Sequence, residues 1–327
     1  MQDITFPQLL EQYFTHHYLR QKTETDYGGA VRALRHYVGH DVVPAMITAE
    51  QVLQWRRSKL KRYQGANGIS DYSWNSYITQ LKSIFAFALR KGFIPDRDNP
   101  FNGMRVKPSE RKKKVLNTDA ITLSRRALDK YAREEAEQAT LGTIYPAWFW
   151  RIVFETLYYT GIRQNSLLHI RVNDVNLKQS VIRLRSDISK NHQECYVPIA
   201  DRLYPYLRQL LSYAKTSGFH SEDQLFNVNR FSRRHNKLTM TQWQIIGFFR
   251  HISKKIGIRV SSHRFRHTLG TDLMASPHRD IHVTQKILNH ADIRTTLEYI
   301  HPDMTAMKEL LDQPRKTDLT AIHEEKE

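Results

Sequence analysis

The stretch "LNHADIRTTLEYIH", residues 288 to 301, ends the last well-patterned helix of the chain, and it sets a single tyrosine, Tyr299, nine positions after His290. Three segments upstream also hold polar groups for which a packed core has little use. "SSHRFRHTLGTDL" puts His263 and Arg266 three apart, on one helical face. "YYTGIRQNSLLHIRVNDV" puts Arg163 after a glycine turn, between the apolar helix of "FWRIVFETLYY" and another that begins near Ser166. "SKNHQ" puts Lys190 at a hairpin tip. Taken singly, each has a mild explanation: a helix-end ion pair, a solvated lysine, a satisfied core histidine. Taken in this order and at these intervals, they point to one site.

The rest of the chain agrees with a nucleic-acid partner. Its 327 residues suit two compact units, and 50 Lys and Arg against 33 Asp and Glu leave a formal charge of +17. That balance favours a polyanion over a small acidic substrate. One cysteine, Cys195, excludes an internal disulfide framework and a cysteine-based zinc site, and fits a reducing compartment. The opening "MQDITFPQLLEQYF" carries Asp3 and Glu11 and lacks the apolar segment of a signal peptide. No run approaches the roughly 18 apolar residues of a membrane helix, so an intracellular protein is expected, with no membrane partner.

Four short helices are expected first. Phe6, Leu9, Leu10, Tyr13 and Phe14 keep a helical period behind Thr5 as cap, with Pro7 in the first turn. A second helix runs from about Thr23 to Val38. A third opens at Thr48, whose spacing to Gln51 is a capping box, and carries Val52, Trp55 and the basic row Arg56, Arg57, Lys59, Lys61 and Arg62. A fourth, "SWNSYITQLKSIFAFALRKG", stacks Ile78, Leu81, Phe85 and Leu89 and stops at Gly92. "MRVKPSERKKKVLNT" follows without a period. Its basic residues Arg105, Lys107, Arg111, Lys112, Lys113 and Lys114 face one acid, Glu110, and suit a strap lying on phosphates. Further on, "SVIRLRSDISKNHQECYVPI" alternates through Ile182 and Leu184, turns near Lys190, Asn191 and His192, and resumes at Cys195. The surroundings of this hairpin look helical, and the tail beyond Pro314 is polar.

"TGIRQNSLLHIRVNDV", "HRFRHTLGTDL" and "LNHADIRTTLEYIH" together resemble the three signature boxes of the tyrosine recombinases of the phage-integrase family. The resemblance covers nearly the whole chain and implies a mainly α fold with a small β-hairpin or sheet. An all-α, SAM-like core-binding domain (residues 1–104) would be followed by a basic linker (105–117), an α+β catalytic domain (118–312) and a flexible tail (313–327). Carried over by position, Arg163 is the first catalytic arginine, Lys190 the hairpin lysine, His263 and Arg266 the His-x-x-Arg pair, His290 the third-box histidine and Tyr299 the nucleophile. Two positions depart from the family. Ser166 stands where an acidic residue is usual and supplies no charge to hold Arg163 or the His263 region, and Asn289 stands where glycine is common.

The chemistry fits these residue types. Transesterification at a DNA phosphodiester needs a nucleophile, cationic donors for the charge of the transition state, and an acid for the departing 5′ oxygen. A phenol with a pKa of about 10 needs a base or a strong positive field. His263 is the candidate base. Arg163 and Arg266 supply the field and a forked grip on phosphate, His290 a further donor and Lys190 the acid. The phosphotyrosyl bond conserves the energy of the broken ester, so neither ATP nor a metal is expected as cofactor, and no Gly-rich phosphate loop is found.

The expected protein is thus a site-specific DNA recombinase working as a tetramer on paired duplex sites. It would clamp DNA through Arg56, Arg57, Lys59 and the strap, with DNA-bending accessory proteins as possible helpers. A short helix from "HPDMTAMKELLDQ" would dock on a neighbouring protomer, as the resemblance implies. A cytoplasmic, nucleoid-associated protein of a prokaryote, phage or mobile element is expected. The rivals are a type IB topoisomerase-like relaxation activity, a non-catalytic sequence-specific DNA-binding protein, and a zinc pair at His263 and His267, which lacks an evident third ligand.

Overall fold

The structure is a computed structural model that describes residues 4–108, 114–138, 142–185, 194–232, 237–276 and 279–300. The chain divides into two compact units, Met1–Lys112 and Lys113–Glu327. The first is built from α1 (Phe6–His16), α2 (Gln21–Val38), α3 (Ala49–Lys59), α4 (Lys61–Gln64) and α5 (Asp71–Arg90). Thr5 and Gln8 close a reciprocal capping box on α1, and Thr48 and Gln51 do the same on α3. Phe6, Leu9, Trp55, Trp74, Ile78, Leu81 and Phe85 form the core between them.

The basic row does not lie on one helix. The backbone turns extended at the fully buried Leu60, where Lys61 N–H donates to the carbonyl of Ile69 at 3.0 Å and Ile69 N–H to that of Lys59 at 2.7 Å. Gly68 makes this crossing possible, since a Cβ there would lie 2.5 Å from the Lys61 nitrogen. Lys61 and Arg62 therefore start a separate turn, and Arg62 pairs with Asp71 at 2.9 Å. The start of the segment read as linker is fastened to α5: Trp74 Nε1 donates to the Met104 carbonyl at 2.8 Å, and the Asn75 side chain exchanges two 2.8 Å hydrogen bonds with the Val106 backbone.

The second unit contains α6 (Thr118–Gln138), α7 (Ala147–Thr160), α8 (Gln164–Leu168), strands β1 (Val175–Asn176), β2 (Val181–Leu184) and β3 (Cys195–Pro198), then α9 (Tyr204–Thr216), α10 (Val228–Phe231), α11 (Gln242–Ile256), α12 (Ser262–Ala275), α13 (Ile281–Ile287) and α14 (Arg294–Leu297). Apolar on nearly every side, α7 is the buried centre, flanked by α6 and α12. Its one buried acid, Glu155, is held by Arg125 of α6 at 2.6 Å and by Arg151 at 2.7 Å. The expected hairpin is present as β2 and β3, antiparallel with Ile182 opposite Val197. A third strand, β1, extends it in the order β1-β2-β3. Ile182, Leu184 and Val197 enter the core. On the other face Arg183 and Arg185 converge on the buried carboxylate of Asp174, at 2.8 and 2.9 Å. Lys190, expected at the hairpin tip, the strap residues Arg111, Lys112 and Lys113, and everything after Ile300 lie outside the described residues.

Candidate active site

The site begins where α7 stops. Gly161 caps the helix in the left-handed conformation, φ +58°, and a Cβ there would lie 2.7 Å from Leu269 and 3.3 Å from Leu288. This glycine lets the end of α7 press against α12 and the loop after α13. Arg266, on α12 and buried, donates through Nη1 to the Gly161 carbonyl at 3.0 Å and through Nη2 to the Leu288 carbonyl. Arg163, two residues beyond the glycine, donates to the Asn289 carbonyl at 2.9 Å. Asn289 has φ +47°, a left-handed backbone that asparagine tolerates better than most residues, so the turn forms here without glycine. Burial, reinforced by the charge of Arg163, pulls Arg266 down to about 10.

Tyr299 lies two residues beyond α14, after its cap residue Glu298. Its ring packs with Leu269, Met274, Ile281 and Leu288 and comes up against α12 at Gly270, where a Cβ would lie within 2.9 Å of it. Only 2% of the residue is exposed, yet its hydroxyl escapes the hydrocarbon: it hydrogen-bonds His267 Nδ1 at 3.0 Å. The other nitrogen of that ring, Nε2, hydrogen-bonds His263 Nε2 at 2.7 Å. His290 lies parallel to the phenol, with centroids 6.0 Å apart and 3° between planes, and its Nδ1 pairs with Thr296 Oγ1 at 2.8 Å. Burial pushes the phenol's pKa up and Arg266 and Arg163 pull it back, while Glu298 adds to the rise.

Five of the six expected residues, Arg163, His263, Arg266, His290 and Tyr299, thus meet in one place, and Lys190 lies outside the described residues. His263 does not bond the phenol directly, because His267 stands between them. The sequence offered a signal for His267, its four-residue spacing from His263, but that spacing suggested a metal pair. The two rings instead hydrogen-bond each other, and among the described residues no group of three or more His, Cys, Asp or Glu is placed to hold a metal. Beside the site, Asn289 and His290 line an open groove of about 710 Å³ with Cys195, Tyr196 and Lys286. Of the expected DNA contacts, Arg57, Arg105, Lys107 and Lys114 are exposed and Arg56 and Lys59 half-buried.

Residues 143–306 match the phage integrase family. Two relatives, each provisionally named tyrosine recombinase XerC, are 39% identical. That of Pseudomonas syringae aligns over 96% of this chain and 65% of its own length, and that of Pseudomonas aeruginosa over 94% and 71%. A solved structure of the Tn1549 transposon integrase in complex with a circular intermediate DNA shares the fold, with TM-score 0.71 at 18% identity over 94% of this chain and 99% of that one. The chain belongs to the phage integrase family.

Proposed function

We propose that the chain is a site-specific DNA recombinase that cuts and rejoins duplex DNA through a covalent 3′-phosphotyrosyl intermediate on Tyr299. The observation that carries this reading is the convergence of groups distant in sequence. Arg163 and Asn289, 126 residues apart, are joined beside the carbonyl that anchors Arg266 and beside the ring of His290, against which the phenol stacks. The phenol oxygen loses its proton toward His263, the expected base, and attacks phosphorus, the 5′ oxygen departs with a proton, and the 5′ hydroxyl of a partner strand reverses the step. Arg163 and Arg266 take the non-bridging oxygens, His290 donates to them, and Lys190 protonates the leaving oxygen. Because the tyrosyl ester keeps the energy of the broken bond, the exchange proceeds without ATP or a metal. With 2% of Tyr299 exposed, engaging DNA has to uncover its oxygen.

The partner is duplex DNA carrying paired sites, bound by a tetramer in synapsis whose C-terminal segments dock in trans and which DNA-bending proteins assist. Arg56, Arg57, Lys59, Arg105, Lys107, Arg111, Lys112, Lys113 and Lys114 meet phosphates. The net charge of +17 and the DNA in the integrase structure of like fold support this partner. Its place is the nucleoid of a prokaryotic cytoplasm, encoded by a phage or mobile element. The test uses DNA selected for binding from a random pool and rebuilt as nicked duplexes that trap an adduct. The natural chain should form a denaturant-resistant adduct and Tyr299→Phe should bind equally but form none. An adduct on the Phe variant overturns the assignment, and relaxation of supercoils without exchange between two labelled duplexes favours a topoisomerase.

A further inference from the structure

The hydrogen-bonded row Tyr299, His267, His263 leads from a buried phenol through a half-buried ring to an exposed one. We propose that His267 is a catalytic residue of strand cleavage, taking the phenol proton at Nδ1 and passing another from Nε2 to His263. The proposal rests on the recombinase reading above. Helix geometry supplies the row: His263 and His267 are one turn apart on α12, and Gly270, a further turn along, leaves the space in which the Tyr299 ring lies with its hydroxyl toward His267.

Proton counting fixes how such a row works. Two Nε2 atoms in hydrogen-bonding contact share one proton, since two would repel and none would leave no bond. With that proton on His267, its Nδ1 is a lone pair facing the phenol and His263 carries its own proton on Nδ1. As the tyrosyl oxygen bonds to phosphorus and the bond to the 5′ oxygen breaks, the phenol proton moves to His267 Nδ1 and the shared proton moves to His263 Nε2. His263 ends as the imidazolium, and the leaving oxygen is protonated separately by its own acid. Rejoining runs the row backward and returns the proton to the departing phenolate. The charges around the row favour this direction. Arg266 on α12 and Arg163 beyond α7 favour the phenolate, and they disfavour a positive ring close by, so the charge goes to the exposed end. Glu298, beside Tyr299, opposes the phenolate; His290 stacks on it; Asp272 lies farther along α12 and faces Tyr158 of α7.

The test is single-turnover adduct formation against pH, on nicked duplexes with a 5′ bridging sulfur, which needs no acid to leave. The natural chain, His267→Gln, His263→Gln and the double variant are compared. Each single variant should lose roughly 100-fold or more, and the double no more than either. The natural rate should level off above the range where histidines titrate, about pH 5 to 8, while the variants keep climbing with pH toward the phenol's own ionisation. A His267→Gln profile equal to the natural one, or losses that multiply in the double variant, overturns the relay. A proton inventory on the natural chain, which depends on no variant folding, should curve as for two protons in flight; a linear one overturns it too. Should the natural chain form no adduct with any duplex, the recombinase reading itself falls, whereas adduct formation with an unaltered His267→Gln profile removes the relay alone.

Discussion

Replacing Gly270 with alanine tests whether the position of the Tyr299 ring matters for chemistry. The new Cβ would lie 2.9 Å from two ring carbons and 3.0 Å from a third, all on Tyr299. Carbon atoms settle about 3.5 to 4.0 Å apart, so the ring has to retreat by about 0.6 to 1 Å. It cannot do so freely, because Met274 and Leu288 pack on it. Overpacking of this kind costs roughly 1–3 kcal/mol, and the better helix propensity of alanine offsets about 1 kcal/mol of that, so the net loss of stability should be about 0–2 kcal/mol. The effect on reaction should be larger. A retreat of that size stretches the 3.0 Å bond from the hydroxyl to His267 beyond hydrogen-bonding range, and a displacement near 1 Å can cost about 100-fold in rate. Urea unfolding and single-turnover adduct formation, with DNA affinity measured beside them, give the three readouts. Gly247→Ala in α11, where a Cβ meets nothing within 4 Å, is the control and should gain up to about 1 kcal/mol with cleavage unchanged. Cleavage by Gly270→Ala at or above the natural rate would show that the ring reacts from somewhere else.

Four further outcomes are expected. Asn289→Gly should keep full activity, while Asn289→Val, with a β-branched residue at φ +47°, should lose at least about tenfold in adduct formation because it turns the carbonyl away from Arg163. Asp174→Ala leaves Arg183 and Arg185 without their buried carboxylate and should lower the urea midpoint of unfolding, by less than the loss of a fully buried pair because both arginines reach solvent. Lys190→Ala should slow cleavage of ordinary duplexes yet approach the natural rate on 5′ bridging-sulfur duplexes; absence of that recovery removes Lys190 from the acid role. Each phosphate contact removed, as in Arg57→Gln, should flatten the log–log salt dependence of DNA binding by about 0.9, measured by titration at several ionic strengths.

What could be read without the structure divides along the range of the forces involved. Caps and periodicity act over a few residues, so Thr5, Thr48 and the row from Ile78 to Phe85 gave away α1, α3 and α5. The alternation at Ile182 and Leu184 gave away the hairpin, since its inward face must be apolar. β1, with two residues, is too short to show a period. The break at Leu60 depends on Gly68 passing close to Lys61, a contact that no periodic pattern encodes. In the site, the motifs named the residues but not which of them touch. His263 was expected to act on the phenol because it opens the His-x-x-Arg pair, whereas the approach of the ring over Gly270 brings the hydroxyl to His267.

Ser166 in place of an acid raised the question of what orients Arg163, and backbone carbonyls answer it. Among the described residues, the partners of the two site arginines are the carbonyls of Gly161, Leu288 and Asn289. A carboxylate would orient a guanidinium equally well but would cancel its charge, leaving less for a phosphate. Carbonyls fix direction and leave each arginine a full positive charge, Arg266 in a buried place and Arg163 in an exposed one. The strain is visible in Arg266, drawn down to about 10 by burial and by Arg163, so keeping it charged without an anion costs on the order of 3 kcal/mol. On the proposed function, a phosphodiester arriving between the arginines would relieve that cost, and the charge gathering on its oxygens during the transfer would relieve it further. Introducing the acid should therefore be harmful rather than restorative. Ser166→Glu would place a carboxylate in the small pocket that Ser166 shares with Arg183, Arg185 and Asn289, and it should weaken cleavage more than DNA binding. A variant that cleaves faster than the natural chain would mean that Arg163 is limited by its orientation and not by its charge.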